Sequence, residues 1–382
     1  MIAEWNFPTR ILFGEGLVTE CGAKLLELGA SRALIVSDQG VLESGIVDDV
    51  GKSLRKAKIP FEIFAEVSSN PGEVEAYAAS EAYGRSQADS IVAIGGGSVI
   101  DVAKLVRLLA SHPRPLERYI GEGAQAEIHA AMPPLIALPT TAGTGSEVGR
   151  SAVYTQASSG RKTVVFSPRL LPDLAILDPQ LSLSMPPHIS AATGFDAFTH
   201  CVESYCALGD HPMADAIALA GMDLVARHLE SAVQEGQDIH ARGAMLKAAM
   251  MGAVAFQKGL GACHALAHPL SAEYGLHHGL ANALCLPAVL DFNRSAIPAK
   301  IARIAGAIGV KGDNVDTLAF ECAGGVRALR RKAGLPEGLR EVGIDEEALP
   351  KLARLAYEDA AHGSNPRPCT VEDMMSLYRA SL

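Results

Sequence analysis

The chain has 382 residues, 48% of them hydrophobic and 20% charged, and 33 Lys+Arg against 43 Asp+Glu give a formal net charge of -10. At roughly 150 residues per domain the length suggests two domains or one large one, and a chain of this size builds a sizeable core unaided. The acidic balance argues against a nucleic-acid binder, which carries a basic patch or arm, and seven scattered cysteines with no CxxC pair point to reduced thiols in a cytoplasm.

The N-terminus has an acid at Glu4 and no basic segment leading into an apolar one, so it does not read as a signal peptide. In chain order, residues 33–38 form a short β-rich run, 46–56 a helix, and 61–64 a second strand. Residues 73–87 read as a helix, 90–94 as a strand, 99–110 as a helix and 134–138 as a further apolar strand. Short strands alternating with longer helical patterns indicate βαβ units and a parallel sheet. Ligands of such sheets bind beyond the carboxyl ends of the strands, which directs attention to the segments after Val36, Ile94 and Leu138. From about Pro186 the pattern changes to long Ala/Leu/Met-rich stretches, and 188–207, 214–235, 240–257, 298–307 and 315–333 all read as helices. Pro298 suits a first helical position because it has no N–H to leave unpaired. The most apolar stretch, 248–256, is about half the ~20 residues a membrane span needs and reads as a buried helix, so no membrane partner is expected.

Residues 90–94 run straight into Gly95, Gly96, Gly97 and Ser98, and a helix opens beyond them. Glycines let backbone N–H groups approach an anion, and the dipole of the following helix favours negative charge there. A plain glycine turn with Ser98 as helix N-cap accounts for the same residues without a ligand. Asp38 closes the first strand, where a carboxylate accepts hydrogen bonds from an adenosine ribose and repels a 2′-phosphate. An Asx-turn or helix cap before Gln39 and Gly40 is the alternative there. After the fourth strand, residues 139–147 concentrate three Thr, one Ser and two Gly. Together the three segments suggest a dinucleotide held beyond the strand ends.

Most of the 12 histidines, among them His112, His129, His211, His228 and His240, have no partner at a telling spacing and read as surface or capping residues. Asp196 and His200 are spaced i, i+4, as are His264 and His268, and His277 and His278 follow shortly after. On a helix each i, i+4 pair shares one face. Neutral imidazole and ionised carboxylate are good ligands for Zn²⁺ or Fe²⁺, and a metal offsets the cost of burying the charge. Any one of these histidines is ordinarily a hydrogen-bonded core or surface residue; it is the pairs and the third cluster together that point to a metal.

With those residues in place, the chain resembles the iron-containing (group III) alcohol dehydrogenase family nearly end to end. The resemblance is carried by Phe13, Gly14 and Gly16, by Val36 to Asp38, by Gly95 to Ser98 with Asp101 and Lys104, and by Pro139 to Glu147. It continues through Asp173, Asp178 and Pro179, Gly194 to His200 with Glu203, Gly259 to Gly261, His264 to Pro269, His278 and Gly279, and Asn365 to Arg367. It implies an α/β nucleotide-binding domain over residues 1–182 and an all-α metal-binding, catalytic domain over 183–382, the architecture shared with dehydroquinate synthase.

Carried over by position, the resemblance implies metal ligands Asp196, His200, His264 and His278, with Fe²⁺ as the metal and Zn²⁺ possible by intrinsic affinity. His268 matches a family histidine beside the site and is expected here to relay the released proton, while His277 has no counterpart role in the family and is expected to face solvent. NAD is the implied coenzyme: Gly96, Gly97 and Ser98 hold the pyrophosphate, Asp38 faces the adenosine ribose, Thr140, Thr141 and Thr144 line the cleft, and Lys162 reaches the nicotinamide-side ribose. The implied reaction moves a hydride between a small primary alcohol or hydroxy acid and nicotinamide, in a cytoplasmic homodimer. The chain departs from the family at Ala361, where a cysteine is common, with His362 next, and at Gly149 and Arg150, where small polar residues are common. Arg150 is open to pairing with an anionic substrate or to an exposed salt bridge, and Phe256 to a pocket wall or to core packing. Polyol dehydrogenases of the superfamily are the nearest alternatives. A dehydroquinate-synthase-like lyase, with its Glu/His/His metal set, fits one aspartate and three histidines poorly.

Overall fold

Short runs of aliphatic and β-branched residues form the inner strands here because helices cover both faces of a parallel sheet and every side chain of those strands is buried, while the two edge strands are largely exposed. The structure, a computed structural model, describes residues 7, 9–121, 123–129, 131–158, 160 and 162–382. Glu4 and the first residues of the expected nucleotide-binding domain lie outside the described residues. The strands are β1 (Arg10–Phe13), β2 (Ala33–Val36), β3 (Phe61–Phe64), β4 (Ser90–Gly95), β5 (Leu135–Pro139), β6 (Ser151–Thr155), β7 (Lys162–Phe166) and β8 (Leu174–Leu177). Six of them make one sheet in the order β1-β8-β5-β4-β2-β3, and β6 with β7 makes a separate two-stranded one. All pairings of the large sheet are parallel; the small one is an antiparallel hairpin.

The helices around the sheet are α1 (Cys21–Glu27), α2 (Gln39–Glu43), α3 (Ile46–Lys56), α4 (Glu73–Arg85) and α5 (Gly97–Leu109). Successive side chains of a strand point to opposite faces. Ala33 and Ile35 of β2 pack with Leu25 of α1 and with Val47, Val50 and Leu54 of α3. Leu34 and Val36 pack on the other side with Ala79 and Ala82 of α4 and with Val99, Val102 and Val106 of α5. The neighbours β2 and β4 therefore send their chains away over opposite faces, β2 through α3 to β3 and β4 through α5 to β5. Such a switch of direction opens a crevice at the carboxyl ends of the two strands. Buried polar groups stitch this layer together. Asp178, fully buried, accepts the backbone N–H groups of Gly16 at 3.1 Å and Val18 at 3.0 Å. Lys104, also fully buried, donates to Ser146 Oγ at 2.8 Å and to the Ser151 carbonyl at 2.7 Å, joining α5 to β6.

The remaining helices are α6 (Pro187–Cys206), α7 (Pro212–Gln234), α8 (Ile239–Ala255), α9 (Ala262–Tyr274), α10 (His278–Asn293), α11 (Pro298–Ala307), α12 (Val315–Lys332), α13 (Leu349–Glu358) and α14 (Val371–Ala380). Pro298 does open α11 at its first position. Every residue of α6 from Ser190 to Cys206 is buried, with α7, α8 and α10 packed around it. The apolar stretch 248–256 falls at the end of α8, and among the described residues no helix is long and apolar enough to cross a membrane. All seven cysteines are free and buried. The chain divides into two compact units, one running to Thr141 and resuming over Gly145–Ser184, the other holding Ala142–Thr144 and Met185–Leu382.

Candidate metal centre and nucleotide-binding edge

In the helical unit, α6 presents Asp196, His200 and Glu203 at i, i+4 and i+7, which is one stripe of a helix. α9 presents His264 and His268 one turn apart, and α10 opens with His278 and places Asn282 one turn further on. Asp196, His200 and His264 are all buried, and each offers one ligand atom within 4.8 Å of the others. The His200 and His264 rings stack with centroids 4.8 Å apart. His278 closes the group: its Nε2 lies 3.5 Å from Asp196 Oδ1 and its ring centroid 5.3 Å from that of His264. The structure thus brings together the four residues expected as ligands.

Burial by itself raises the Asp196 carboxyl, but the surrounding His200, His278, His264 and His277 outweigh it and hold the group below the usual carboxylate range. Burial, reinforced by repulsion from His200 and His268, pushes His264 well below the ordinary imidazole value. A neutral imidazole with a free lone pair beside an ionised carboxylate is the state a divalent cation binds. The donor set also has an unspent atom, since His200 Nδ1 is buried with no hydrogen-bond partner among the described residues. One oxygen and three nitrogens suit Fe²⁺ and Zn²⁺ alike.

Several residues around this group escape a reading of spacing alone. Asn282 Nδ2 donates to Asp196 Oδ1 at 3.0 Å and lies 3.2 Å from His278 Nε2. Glu203 Oε2 lies 2.5 Å from His264 Nδ1. Burial pushes the Glu203 carboxyl up to about 7, against the backbone N–H groups of Cys263 and His264 that favour its charge. His268, stacked on His278 at 5.3 Å, hydrogen-bonds through Nδ1 to Asp359 Oδ2 at 2.7 Å. Glu203 and Asn282 carry a sequence signal, the stripe through Asp196 and the i, i+4 step from His278. Asp359 carries none, being 91 residues from its partner.

Phe256 sits with its ring centroid 5.3 Å from that of His200, so it flanks the cluster and is only partly buried. His277 is exposed, as expected, and its Nδ1 accepts the Gly279 N–H at 3.2 Å to cap α10. The Arg150 guanidinium lies 5.3 Å from the centre of the Phe166 ring, a cation–π contact at the base of the hairpin. His362 stacks on Tyr357 at 5.4 Å, and the Ala361 N–H donates to Asp359 Oδ1 at 2.8 Å.

In the α/β unit, β2, β4 and β5 lie side by side and parallel, so Asp38, Gly96 to Ser98, and Thr140 with Thr141 gather at one edge. α5 opens at Gly97, two residues earlier than expected, with Gly96 as its N-cap. A Cβ on Gly95 would stand 2.6 Å from Val99 Cγ2, so only glycine lets the strand turn this sharply into the helix. Ser98 Oγ donates to the Ser69 carbonyl at 2.8 Å rather than capping the helix. Asp38 does cap one: its Oδ1 accepts the Val41 N–H at 2.9 Å at the start of α2. Thr140 is buried and its N–H donates to the Gly95 carbonyl at 3.0 Å. Lys162 stands in the hairpin, in register with Thr155, whose N–H donates to Pro71 in the same loop that Ser98 engages. Thr144 is exposed and groups with the helical unit.

Residues 8–179 match the family model described as iron-containing alcohol dehydrogenase, and residues 190–382 match that of the Fe-containing alcohol dehydrogenase family, C-terminal. The chain is 38% identical to a 4-hydroxybutyrate dehydrogenase of Cupriavidus necator, over 98% of this chain and 99% of that protein. It is 35% identical to an NAD-dependent methanol dehydrogenase of Bacillus methanolicus, over 98% of each. Among solved structures, a 1,3-propanediol oxidoreductase superposes with a TM-score of 0.96 at 35% identity, covering 100% of both chains.

Proposed function

The chain belongs to the iron-containing alcohol dehydrogenase family, and on that premise we propose that it is an NAD-linked, iron-dependent alcohol dehydrogenase and aldehyde reductase. Its substrate class is a small primary alcohol or hydroxy acid, in keeping with relatives named for 4-hydroxybutyrate and methanol. The observation that carries this reading is the convergence of Asp196, His200 and His264 within 4.8 Å, with His278 against Asp196.

Asp196, His200, His264 and His278 would hold the metal, Fe²⁺ by family and Zn²⁺ by the same donor chemistry. A divalent metal there supplies Lewis-acid polarisation of an alcohol or carbonyl oxygen. The protein's part is to place the reacting carbon against the nicotinamide and to keep water out. Phe256 contributes to the second task by laying its ring beside His200. His268 has a side chain 38% exposed and its Nδ1 bonded to Asp359. It therefore faces both the ligand group and solvent, and it moves the released proton outward. A His268→Ala enzyme with normal rate and normal pH profile would remove it from that role.

For the coenzyme, Gly96, Gly97 and Ser98 hold the pyrophosphate at the N-terminus of α5, where backbone N–H groups and the helix dipole favour an anion. Asp38 accepts from the adenosine ribose, Thr140, Thr141 and Thr144 line the coenzyme's path, and Lys162 reaches the nicotinamide-side ribose. Residues 1–182 form the coenzyme domain and 183–382 the metal domain. Seven free, buried thiols support a reducing cytoplasm, which also keeps iron ferrous. The homodimer rests on family resemblance and is checked by light scattering.

One assay tests the whole reading. The protein is loaded with Fe²⁺ or Zn²⁺, given NAD⁺ and a panel of primary alcohols, diols and hydroxy acids, and followed at the NADH absorbance. The expected result is NADH from at least one member of the panel. No NADH from any of them, and no aldehyde reduction with NADH, would refute it.

A further inference from the structure

Resting on the metal-centre reading above, we propose that Glu203 is a positioning residue that fixes His264 with Nε2 turned to the metal, and so sets how tightly the metal is held. Glu203 leaves α6 one turn beyond His200 and is 3% exposed. Its hydrogen bonds are directed at the start of α9. Oε1 accepts the Cys263 N–H at 2.6 Å. Oε2 takes the His264 N–H at 3.3 Å and faces His264 Nδ1 at 2.5 Å.

In its ionised form Glu203 can only accept, so the imidazole proton then sits on Nδ1 and the Nε2 lone pair is left free. The backbone N–H groups at the start of a helix favour the negative charge that makes this so. One side chain thereby joins the ligand stripe of α6 to the ligand of α9 and settles both the ring's orientation and its tautomer. His200 shows the contrast. Its Nδ1 is buried with no partner among the described residues, so among the ligands of α6 and α9 the carboxylate is spent on His264.

Outer hydrogen bonds of this kind orient a metal-binding imidazole and raise its basicity, and losing one weakens metal binding roughly 10- to 100-fold. Glu203→Gln keeps the volume but turns an NH₂ group toward a donor, so it no longer satisfies both Cys263 N–H and His264 Nδ1–H. Metal-free wild type and Glu203→Gln are titrated anaerobically with Fe²⁺, and separately with Zn²⁺, against a chromophoric chelator. The expected result is a Kd about 10- to 100-fold higher for the variant, with kcat per metal-loaded site changed far less at saturating metal. Equal affinities would overturn the proposal alone, whereas a wild type that binds neither metal would overturn the metal-centre reading with it. A variant too unstable to titrate leaves a second measurement on the wild type. Long-range ¹H–¹⁵N correlation of the histidine-labelled protein is expected to show His264 as the Nδ1–H tautomer, and an Nε2–H tautomer would overturn the proposal.

Discussion

Gly279→Ala should break the proposed metal centre without replacing any of its four side chains. A Cβ on Gly279 would stand 2.0 Å from the Ala192 carbonyl oxygen, 2.7 Å from its carbon and 3.0 Å from Asp196 Cβ. Contacts below 3.0 Å are essentially never made by real Cβ atoms, so the gap must open by at least 3.0 − 2.0 = 1.0 Å. Ala192 lies within α6, where every residue from Ser190 to Cys206 is buried, and its carbonyl cannot swing aside. α10 must therefore move, and it carries His278, the residue next to Gly279, away from Asp196. Overpacking of this kind costs about 1–3 kcal/mol, and a displacement of about 1 Å at a reacting centre can cost ~10²-fold in rate. The assay compares variant and wild type by metal titration, by kcat with saturating metal and by urea unfolding. Gly84, near the end of α4 with nothing within 4 Å of its would-be Cβ, is the control, and alanine there should be neutral or stabilising by up to ~1 kcal/mol. A Gly279→Ala protein that binds metal and turns over like the wild type would refute the close approach of α10 to α6 as the device that seats His278.

Lys104→Met should lower the unfolding free energy by about 3–5 kcal/mol, because it leaves the Asp101 carboxylate buried without its cation; Lys104 is fully buried 3.6 Å from Asp101, and an unchanged urea midpoint would refute it. Burial pushes the Glu147 carboxyl from its ordinary 4.5 up to about 7. A raised value means that its contribution is complete below 4.5 and is lost as pH rises through 7. The stability of Glu147→Gln relative to wild type should therefore shift in the variant's favour by about 3 kcal/mol between ~pH 4 and ~pH 8, and a pH-independent difference in urea unfolding would refute this. Asp38→Gly should raise activity with NADP⁺ by removing the charge that repels a 2′-phosphate, at a cost of only a few tenths of a kcal/mol from the lost cap; wild-type enzyme that already uses NADP⁺ equally well would contradict that role.

The α/β half was legible where burial imposes a pattern and illegible where it does not. β2, β4 and β5 sit inside the sheet with every residue buried, which forces continuous apolar runs that stand out between helical stretches. β1 is half exposed and carries no continuous buried run, whereas β8 is four buried apolar residues just as β2 is, so neither its length nor its burial sets it apart; the hairpin β6–β7 covers other elements rather than extending the sheet. The candidate metal centre was legible for a related reason. Two side chains that converge from one helix must be three or four residues apart, so Asp196 with His200, and His264 with His268 beside the group, leave a mark in the spacing. A contact between helices leaves none, and the Asp359–His268 pair is set by how the chain after α13 packs on α9.

Asp38 shows a different limit. Its sequence context leaves a helix cap and a ribose acceptor as competing readings, and the structure shows the cap being made, by Oδ1 to Val41 N–H. A carboxylate has two oxygens and about four lone pairs, so capping α2 uses one oxygen and holds the side chain at the strand end with the other still able to accept. The cap leaves room for the ribose contact proposed for Asp38, and the two readings are compatible. Residue patterns count side chains rather than lone pairs, so they present as a choice what one carboxylate is able to do at once.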